Sequence, residues 1–475
     1  MTYKLDKISE NIYEIKAHGD MNVPVRIYAS EKLLNDMKKD NCFEQMVNVA
    51  CLPGIVKHSI VLPDAHQGYG FSIGGVGAFD VDDGIISPGG VGFDINCSVR
   101  LLRTNLEKKD VESSDRKKLV SKMIFKAIPS GVGKGCSVKI NKEEIKEIMK
   151  NGAGWAVEKG YGFKEDVEFT EENGCMKDAD PSKVSETAIS RGINQLGSLG
   201  SGNHFLEFQY VDEIFDEKIA GVFGLKKDQV CIMIHCGSRG LGHQVASDYI
   251  RLMEEEYGFE NLKDRQLINA PIKSKLGQDY YKAMCSAANF AFCDKQIITH
   301  FIRETLKKEF PKIKAEVVYD ICHNIAKFEE HEVDGKKRML CVHRKGATRS
   351  LGPGRKEIPQ KYRSVGQPII LPGSMGTSSY VLVGTSKAEE LSFASTAHGA
   401  GRVMSRHETL RTISPDEIRK KMLDKNIEVN AGSWKALVEE SPEAYKDVDE
   451  VVRVSHEVGI GNLVARLKPL IVIKG

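Results

Sequence analysis

The sequence predicts an α+β protein, a single large mixed domain whose strands carry glycine-rich loops and are flanked by helices. Three observations predict it. Short β-prone runs recur through both halves of the chain, and most of them stop at a glycine-rich loop holding a histidine, a cysteine or an aspartate. Helical stretches fall between these runs without strict alternation, which weighs against a doubly wound sheet or a TIM barrel. No low-complexity tract, coiled-coil repeat or linker interrupts the 475 residues, so the motifs read as parts of one domain spanning 1–475.

Taken in order, residues 12–16 alternate as a strand and a helix is predicted over 30–39. A strand at 58–62 then runs into the polar loop Pro63-Asp64-Ala65-His66-Gln67-Gly68-Tyr69-Gly70. Residues 85–100 repeat that pattern, placing Asp94 and Cys97 at the edge of a glycine-rich loop with β-prone residues 99–102 behind. Helices are predicted at 113–127, 142–150 and 181–196, and the polar stretch 159–180 reads as a surface insertion. The loop Gly200-Ser201-Gly202-Asn203-His204 enters a strand, and strands at 230–234 and 317–322 end at His235 and His323. A long helix rich in Ala, Met and Phe over 277–310 suits the core. Strands at 339–343, 368–371 and 380–383, helices at 414–424 and 433–440, and an apolar terminal strand from Leu470 to Lys474 complete the chain.

Bulk composition excludes more than it selects. Lys+Arg number 68 against Asp+Glu 66, a net charge of +2, so any nucleic-acid or membrane attraction must come from a local patch. Eleven cysteines without paired short spacing argue against a disulfide scaffold. No apolar run approaches a membrane span and the start of the chain lacks a signal-peptide core, so a cytoplasmic protein is expected.

The chemistry gathers at strand–loop junctions. Asp94, Cys97, His204, His235 and His323 all fall there, and five such ligands exceed what one catalytic ion with an open position takes from protein. Two ions with one anionic bridge fit better, and Cys97 is a candidate for that bridge. A thiolate suits zinc, while carboxylate and imidazoles also suit manganese, iron or cobalt. Separately, Phe393-Ala394-Ser395-Thr396-Ala397-His398-Gly399-Ala400-Gly401-Arg402 sets one imidazole among small residues ahead of an arginine, as a nucleophile that attacks phosphate requires. Taken alone, that segment would read as a buried histidine in a glycine turn.

Gly131-Val132-Gly133-Lys134-Gly135 lacks the leading glycine and trailing hydroxyl of a P-loop, and no Lys-x-Asp-Gly string supplies a lysyl nucleophile. The loops Gly200-Ser201-Gly202-Asn203, Pro372-Gly373-Ser374-Met375-Gly376-Thr377 and Gly399-Ala400-Gly401-Arg402 are dense enough in glycine and hydroxyl groups to cradle anions. The basic run 336–363, which includes Arg344, Lys345 and Arg349, holds Glu357 as its only acid and is predicted to face a polyanion.

These strings together, with Gly92-Phe93-Asp94-Ile95-Asn96-Cys97, Gly202-Asn203-His204-Phe205-Leu206-Glu207, Cys322-His323-Asn324 and His343-Arg344-Lys345-Gly346-Ala347-Thr348-Arg349, closely resemble the RtcB family of GTP-dependent RNA-splicing ligases from about residue 20 to Lys474-Gly475. The resemblance implies a fold peculiar to that family and a pair of Mn2+ ions, one held by Asp94, Cys97 and His204 and the other by Cys97, His235 and His323. It casts His398 as the residue that takes GMP from GTP and passes it to an RNA 3′-phosphate, which a 5′-hydroxyl then attacks. A 2′,3′-cyclic phosphate would first be opened. The GTP site it implies comprises Asn203, His204, Phe205, Leu206, Glu207, His323, Asn324, Pro372, Gly373, Ser374, Met375, Ser379, His398, Gly399, Ala400, Gly401, Tyr445 and Lys474. Within it Glu207 would read guanine, and Phe205 and Tyr445 would stack on the base. Arg344, Lys345, Arg349 and Arg402 are expected to contact RNA, whether tRNA exon halves or cleaved RNA, with archease as a candidate activating partner and a monomer expected. Ser98 stands where the family pattern leads us to expect glycine, and Ala397 where it varies; neither removes a ligand.

Two rivals differ in class. A dinuclear metal-dependent RNA phosphatase or cyclic phosphodiesterase would use the same ligands with water and leave His398 idle. An RNA-binding scaffold would use the basic run alone and need no ligand set.

Overall fold

The computed structural model describes residues 3–131 and 135–475, the side chains of residues 434–436 excepted. The glycine string at 131–135 therefore falls largely on residues outside those described. Two large sheets organise the fold. The first runs, in spatial order, Asp6–Ser9, Ile12–Ile15, Val25–Tyr28, Ile55–His66, Ile73–Asp80, Lys336–Lys345 and Asn324–Val333, with one parallel pairing, between Val25–Tyr28 and Ile55–His66. The second runs Ala315–Cys322, Ser98–Glu107, Gln229–Cys236, Phe205–Ile214, Asn462–Lys474, Ser379–Val383 and Pro368–Leu371, and Glu428–Ala431 lies parallel to Asn462–Lys474.

Alternation explains how the second sheet is buried on both faces. Along Ser98–Glu107, Val99 and Leu101 join the main apolar core, whereas Leu102 joins a second cluster with Phe208, Ile232, Ile234, Val120, Ile124, Ile298 and Ile302. The last four come from the helices Ser114–Ala127 and Lys275–Lys307. Ser113 and Ser274 cap these helices by accepting hydrogen bonds from Arg116 N and Gly277 N. The 33-residue helix is buried almost all round over its middle third, as its Ala, Met and Phe content predicted.

His323 is the seam of the molecule. The strand Ala315–Cys322 of one sheet ends before it, and the strand Asn324–Val333 of the other begins after it. A two-stranded sheet of Ala347–Arg349 with Ser395–Ala397 lies against the same seam and ends one residue before His398.

Several expectations are corrected. Residues 63–66 are not loop: the strand Ile55–His66 carries through them and buries Asp64. The helix expected over 181–196 is a 3-10 turn, Pro181–Lys183, followed by the helix Glu186–Gly192. The stretch 159–180 is no surface insertion, because Asp166, Thr170 and Glu171 reach the interior, where Asp166 holds Arg303 in a two-pronged ion pair. The helix Arg239–Tyr257 and the strand Asn324–Val333 were not anticipated. Among the described residues no helix is long and apolar enough to cross a membrane.

Candidate active site

Strand register builds the first half of the site. Ser98 pairs with Cys236 and with Cys322, while His235 pairs with both Val99 and Phe205. Cys97, His204, His235 and His323 therefore stand at one end of four adjacent strands, and the backbone continues the ladder with His323 N donating to Cys97 O at 2.9 Å. Their side chains converge. Cys97 Sγ lies 3.2 Å from His235 Nε2 and 3.5 Å from His204 Nε2, and the two Nε2 atoms of His235 and His323 are 3.3 Å apart. Asp94 Oδ2 is 2.8 Å from His204 Nε2. Two triads result, Cys97–His235–His323 and Asp94–Cys97–His204, each with its ligand atoms within 4.8 Å of one another and sharing the thiol.

That geometry fits metal ions. Two ring nitrogens each about 2 Å from a tetrahedral ion lie roughly 3.3 Å apart, the separation of His235 and His323. His204 Nδ1 is satisfied by Leu199 O at 3.0 Å, which leaves Nε2 pointing at the cluster. Electrostatics agree. Burial, reinforced by neighbouring histidines, holds the His235 and His323 imidazoles well below the usual histidine range, so both rings are neutral, the form in which imidazole can bind a metal. Burial of Asp94 opposes its ionisation, but the His204 ring beside it and their hydrogen bond outweigh that and hold the carboxyl at about 2. Burial and the Asp94 charge push the Cys97 thiol well above its ordinary value, so in the metal-free protein it keeps its proton.

The second half is His398, whose ring centroid lies 4.9 Å from that of His323. Asp64 organises it from the strand Ile55–His66. Asp64 Oδ2 lies 2.6 Å from His398 Nδ1 and accepts the backbone N–H of His398 at 2.9 Å and of Gly399 at 3.3 Å. Burial disfavours a charge on Asp64, but the His398 ring and these hydrogen bonds together lower its carboxyl below the usual range. With Nδ1 occupied, Nε2 is the nitrogen left with a free lone pair.

A cavity of about 260 Å3 opens in front of His398. Asn203, Phe205, Glu207, Pro372, Gly373, Ser374, Met375, Gly399, Ala400, Gly401, Tyr445 and Lys474 line it. In its lining Glu207 accepts from Gln209 Nε2 at 2.7 Å, and Gln209 also reaches Ser379 Oγ at 3.0 Å. Burial pushes the Glu207 carboxyl up to about 7, with Gln209 and Lys474 opposing. Lys474 donates to Gly202 O at 3.1 Å and sits 3.5 Å from Glu440.

Residues 45–475 match the family model described as tRNA-splicing ligase RtcB. Proteins named tRNA-splicing ligase RtcB from Nanoarchaeum equitans and Archaeoglobus fulgidus are 53% and 54% identical to this chain, covering 100% and 99% of both partners. The namesake from Thermococcus kodakarensis is 52% identical over 99% of this chain and 98% of its own. The chain belongs to the RtcB family.

Three expected contacts of this RtcB-family chain with RNA do not survive the geometry. Arg344, Lys345 and Arg349 are 0, 5 and 2% exposed, each on a strand with its head group engaged inside the protein. Arg344 forks onto Glu329, Arg349 meets Glu171 and Glu172, and Lys345 Nζ donates to the carbonyls of Tyr69 and Gly89. The basic run 336–363 is thus no continuous face, because its partners arrive from distant parts of the chain. Arg402 is half-buried beside the cavity, donating to the carbonyls of Met404 and Glu439 and lying over the Tyr445 ring.

Leu206 is also corrected. Successive residues of a strand face opposite ways, so Phe205 and Glu207 line the cavity while the Leu206 side chain packs in the second apolar cluster. Asn324 acts from behind the site, donating to Asp94 O and accepting from Gly346 N. Asp64 has no sequence signal for this role, since a single aspartate in a polar stretch carries no mark of a distant partner. Sequence reasoning also passes over Arg191, Arg239, His243 and Arg406. They form a basic rim beside Asp94 and His204: Arg239 and His243 lie on the first turns of the helix Arg239–Tyr257 that follows His235, and Arg406 lies four residues past Arg402.

Proposed function

We propose that this chain joins RNA 3′-phosphate or 2′,3′-cyclic phosphate ends to 5′-hydroxyl ends, using GTP and two Mn2+ ions, as in tRNA splicing or RNA repair. The observation that carries the reading is His398, held through Nδ1 by Asp64 with its ring 4.9 Å from that of the metal-ligating candidate His323.

In this reading Asp94, Cys97, His204, His235 and His323 hold the ions, which when bound would neutralise charge on the reacting phosphates. His398 Nε2 forms a bond to the α-phosphorus of GTP as the bond to pyrophosphate breaks, and Nδ1 keeps its proton, donated to the Asp64 carboxylate. Asp64 thereby stabilises the positive charge that develops on the ring. An RNA 3′-phosphate oxygen then attacks the same phosphorus, returning the electron pair to Nε2. The 5′-hydroxyl oxygen of the second RNA finally attacks the activated 3′-phosphorus and expels GMP. Glu207, ionised, accepts the two N–H groups of guanine's pairing edge, while Phe205 and Tyr445 flank the base. The rim of Arg191, Arg239 and Arg406 is suited to the RNA phosphate that approaches the Asp94 side.

The test is direct. With Mn2+ and α-labelled GTP, the protein should take up label that the His398→Ala variant does not, and should join a 3′-phosphate RNA to a 5′-hydroxyl RNA. Hydrolysis of RNA ends without labelling, unaffected by that substitution, would instead identify a dinuclear phosphatase or cyclic phosphodiesterase.

A further inference from the structure

The buried charges that the function above leaves unused form one continuous chain behind the site. It starts at the seam, where Glu171 Oε2 accepts the backbone N–H of Cys322, the residue before His323, at 2.8 Å. The other oxygen of Glu171 meets Arg349 Nε at 3.2 Å and Lys327 Nζ at 2.6 Å. Arg349 Nη1 lies 3.6 Å from Glu329, and Glu329 receives the full fork of Arg344 at 2.7 and 2.8 Å. Arg344 then spends its remaining donors on the segment leading to His398: Nε on Ser395 Oγ at 2.8 Å, and Nη2 on the carbonyls of Phe393 at 2.8 Å and Ala394 at 3.3 Å.

What Arg344 holds is a strained piece of backbone. Phe393 and Ala394 have φ of 49° and 48°, a left-handed pair without glycine that L side chains rarely adopt. Two consecutive carbonyls in that conformation face one guanidinium, whose planar fork can satisfy both while staying paired to Glu329. Ser395–Ala397, which follows, pairs with the strand Ala347–Arg349, so Arg349 ties the same small sheet to Glu171 from its other strand. The strand ending just before His323 and the strand leading to His398 are thus fastened to one another through buried ion pairs.

We propose that Arg344 is a positioning residue for His398, and that the chain Glu171–Arg349–Glu329–Arg344 fixes the nucleophile loop relative to His323. This assigns a role to the segment around Glu171 and to the basic motif that does not face RNA. It rests on the reading of His398 as the nucleophile. A ring must lie within a few tenths of an ångström of its attack position for full rate, so a loop that drifts slows transfer without weakening the binding of either ligand.

The test compares the full-length wild type with Arg344→Lys, which cannot reach both carbonyls, and with the milder Ser395→Ala. Three quantities are read: single-turnover labelling from α-labelled GTP per folded molecule, the dissociation constants of Mn2+ and of a GTP analogue that cannot transfer GMP, and amide hydrogen exchange over residues 393–399. Slowing of labelling by about tenfold or more in Arg344→Lys and a few-fold in Ser395→Ala is expected. Both dissociation constants should stay within about twofold, with faster exchange confined to residues 395–399. An Arg344 that merely supports the fold would lower the melting temperature while leaving labelling per folded molecule and those amides unchanged, and that result overturns the proposal. Should Arg344→Lys not fold, Ser395→Ala decides on the same two readouts. If the wild type takes no label, the nucleophile reading falls, and local exchange still decides whether Arg344 orders this loop.

Discussion

A neutral imidazole attacks phosphorus through the nitrogen bearing its lone pair, and in this chain Asp64 selects that nitrogen by occupying the other. Asp64→Asn keeps the size but loses the charge that steadies the ring as it turns cationic. Label transfer from GTP to His398 should fall by about a hundredfold or more, while the bound-metal stoichiometry stays at two. Loss of metal in that variant would show that Asp64 acts on the cluster instead. Glu207 permits a second prediction at this scale. Its carboxyl titrates at about 7 because it is buried, and only the ionised form accepts both guanine N–H groups. GTP affinity should therefore be level above pH 7 and decline below it, by at most about tenfold per pH unit, and a calorimetric titration with a non-transferable analogue from pH 5.5 to 8 measures this. A flat profile would remove Glu207 from the role. Of these two residues only Glu207 was legible in the sequence, because it sits in a motif with His204. Asp64 and His398 are 334 positions apart, and nothing local to either announces the other.

Strand ends carry four of the five candidate metal ligands, with Asp94 in the loop before Ser98–Glu107, and they are legible because each β-prone run meets the same kind of residue. Register then does what sequence spacing cannot, setting Cys97 between His204 and His235 on one side and His323 on the other. A further prediction follows from the shared thiol. Burial and Asp94 hold the Cys97 proton on well above the ordinary thiol range, whereas Asp94 is already ionised and His235 and His323 are already neutral near pH 7. Metal binding must then displace the thiol proton, so Mn2+ affinity should rise with pH between pH 6 and 8, with at least one proton released per filled pair. Calorimetry in buffers of different ionisation enthalpy counts that proton. Affinity independent of pH would exclude Cys97 as a ligand. The elements that were not legible share a different cause. Asn324–Val333, read as Asn-Ile-Ala-Lys-Phe-Glu-Glu-His-Glu-Val, and the stretch around Asp166 and Glu171 look solvated by composition, yet Lys327, Glu329, Asp166 and Glu171 are buried against partners on other elements. The same blindness turned the 336–363 run into an apparent RNA face. A charge count reports what a segment carries, and only tertiary pairing determines whether water or a buried carboxylate meets it.

At the scale of the whole molecule the proposed function makes the cluster a clasp. Its ligands come from residues 94 to 323, and one of them, His323, is the hinge between the two large sheets. An ion bound there joins four strand ends that otherwise bring a thiol, a carboxylate and neutral imidazoles together, and it binds the folded chain far better than the unfolded one. Folding stability should therefore depend on free Mn2+. At a concentration a hundredfold above its dissociation constant each ion contributes about 2.7 kcal/mol, and the melting temperature should climb steadily with the logarithm of concentration. Cys97→Ser, which removes the ligand common to both triads, should lose most of that climb, while Asp64→Asn and Ser395→Ala, which lie outside the cluster, should retain it in full. Differential scanning fluorimetry across a Mn2+ series, begun from chelator-treated protein, separates these cases. A Cys97→Ser protein that gains as many degrees as the wild type would mean that manganese binds elsewhere, and the two-triad centre would have to be abandoned as the place where this fold holds its ions.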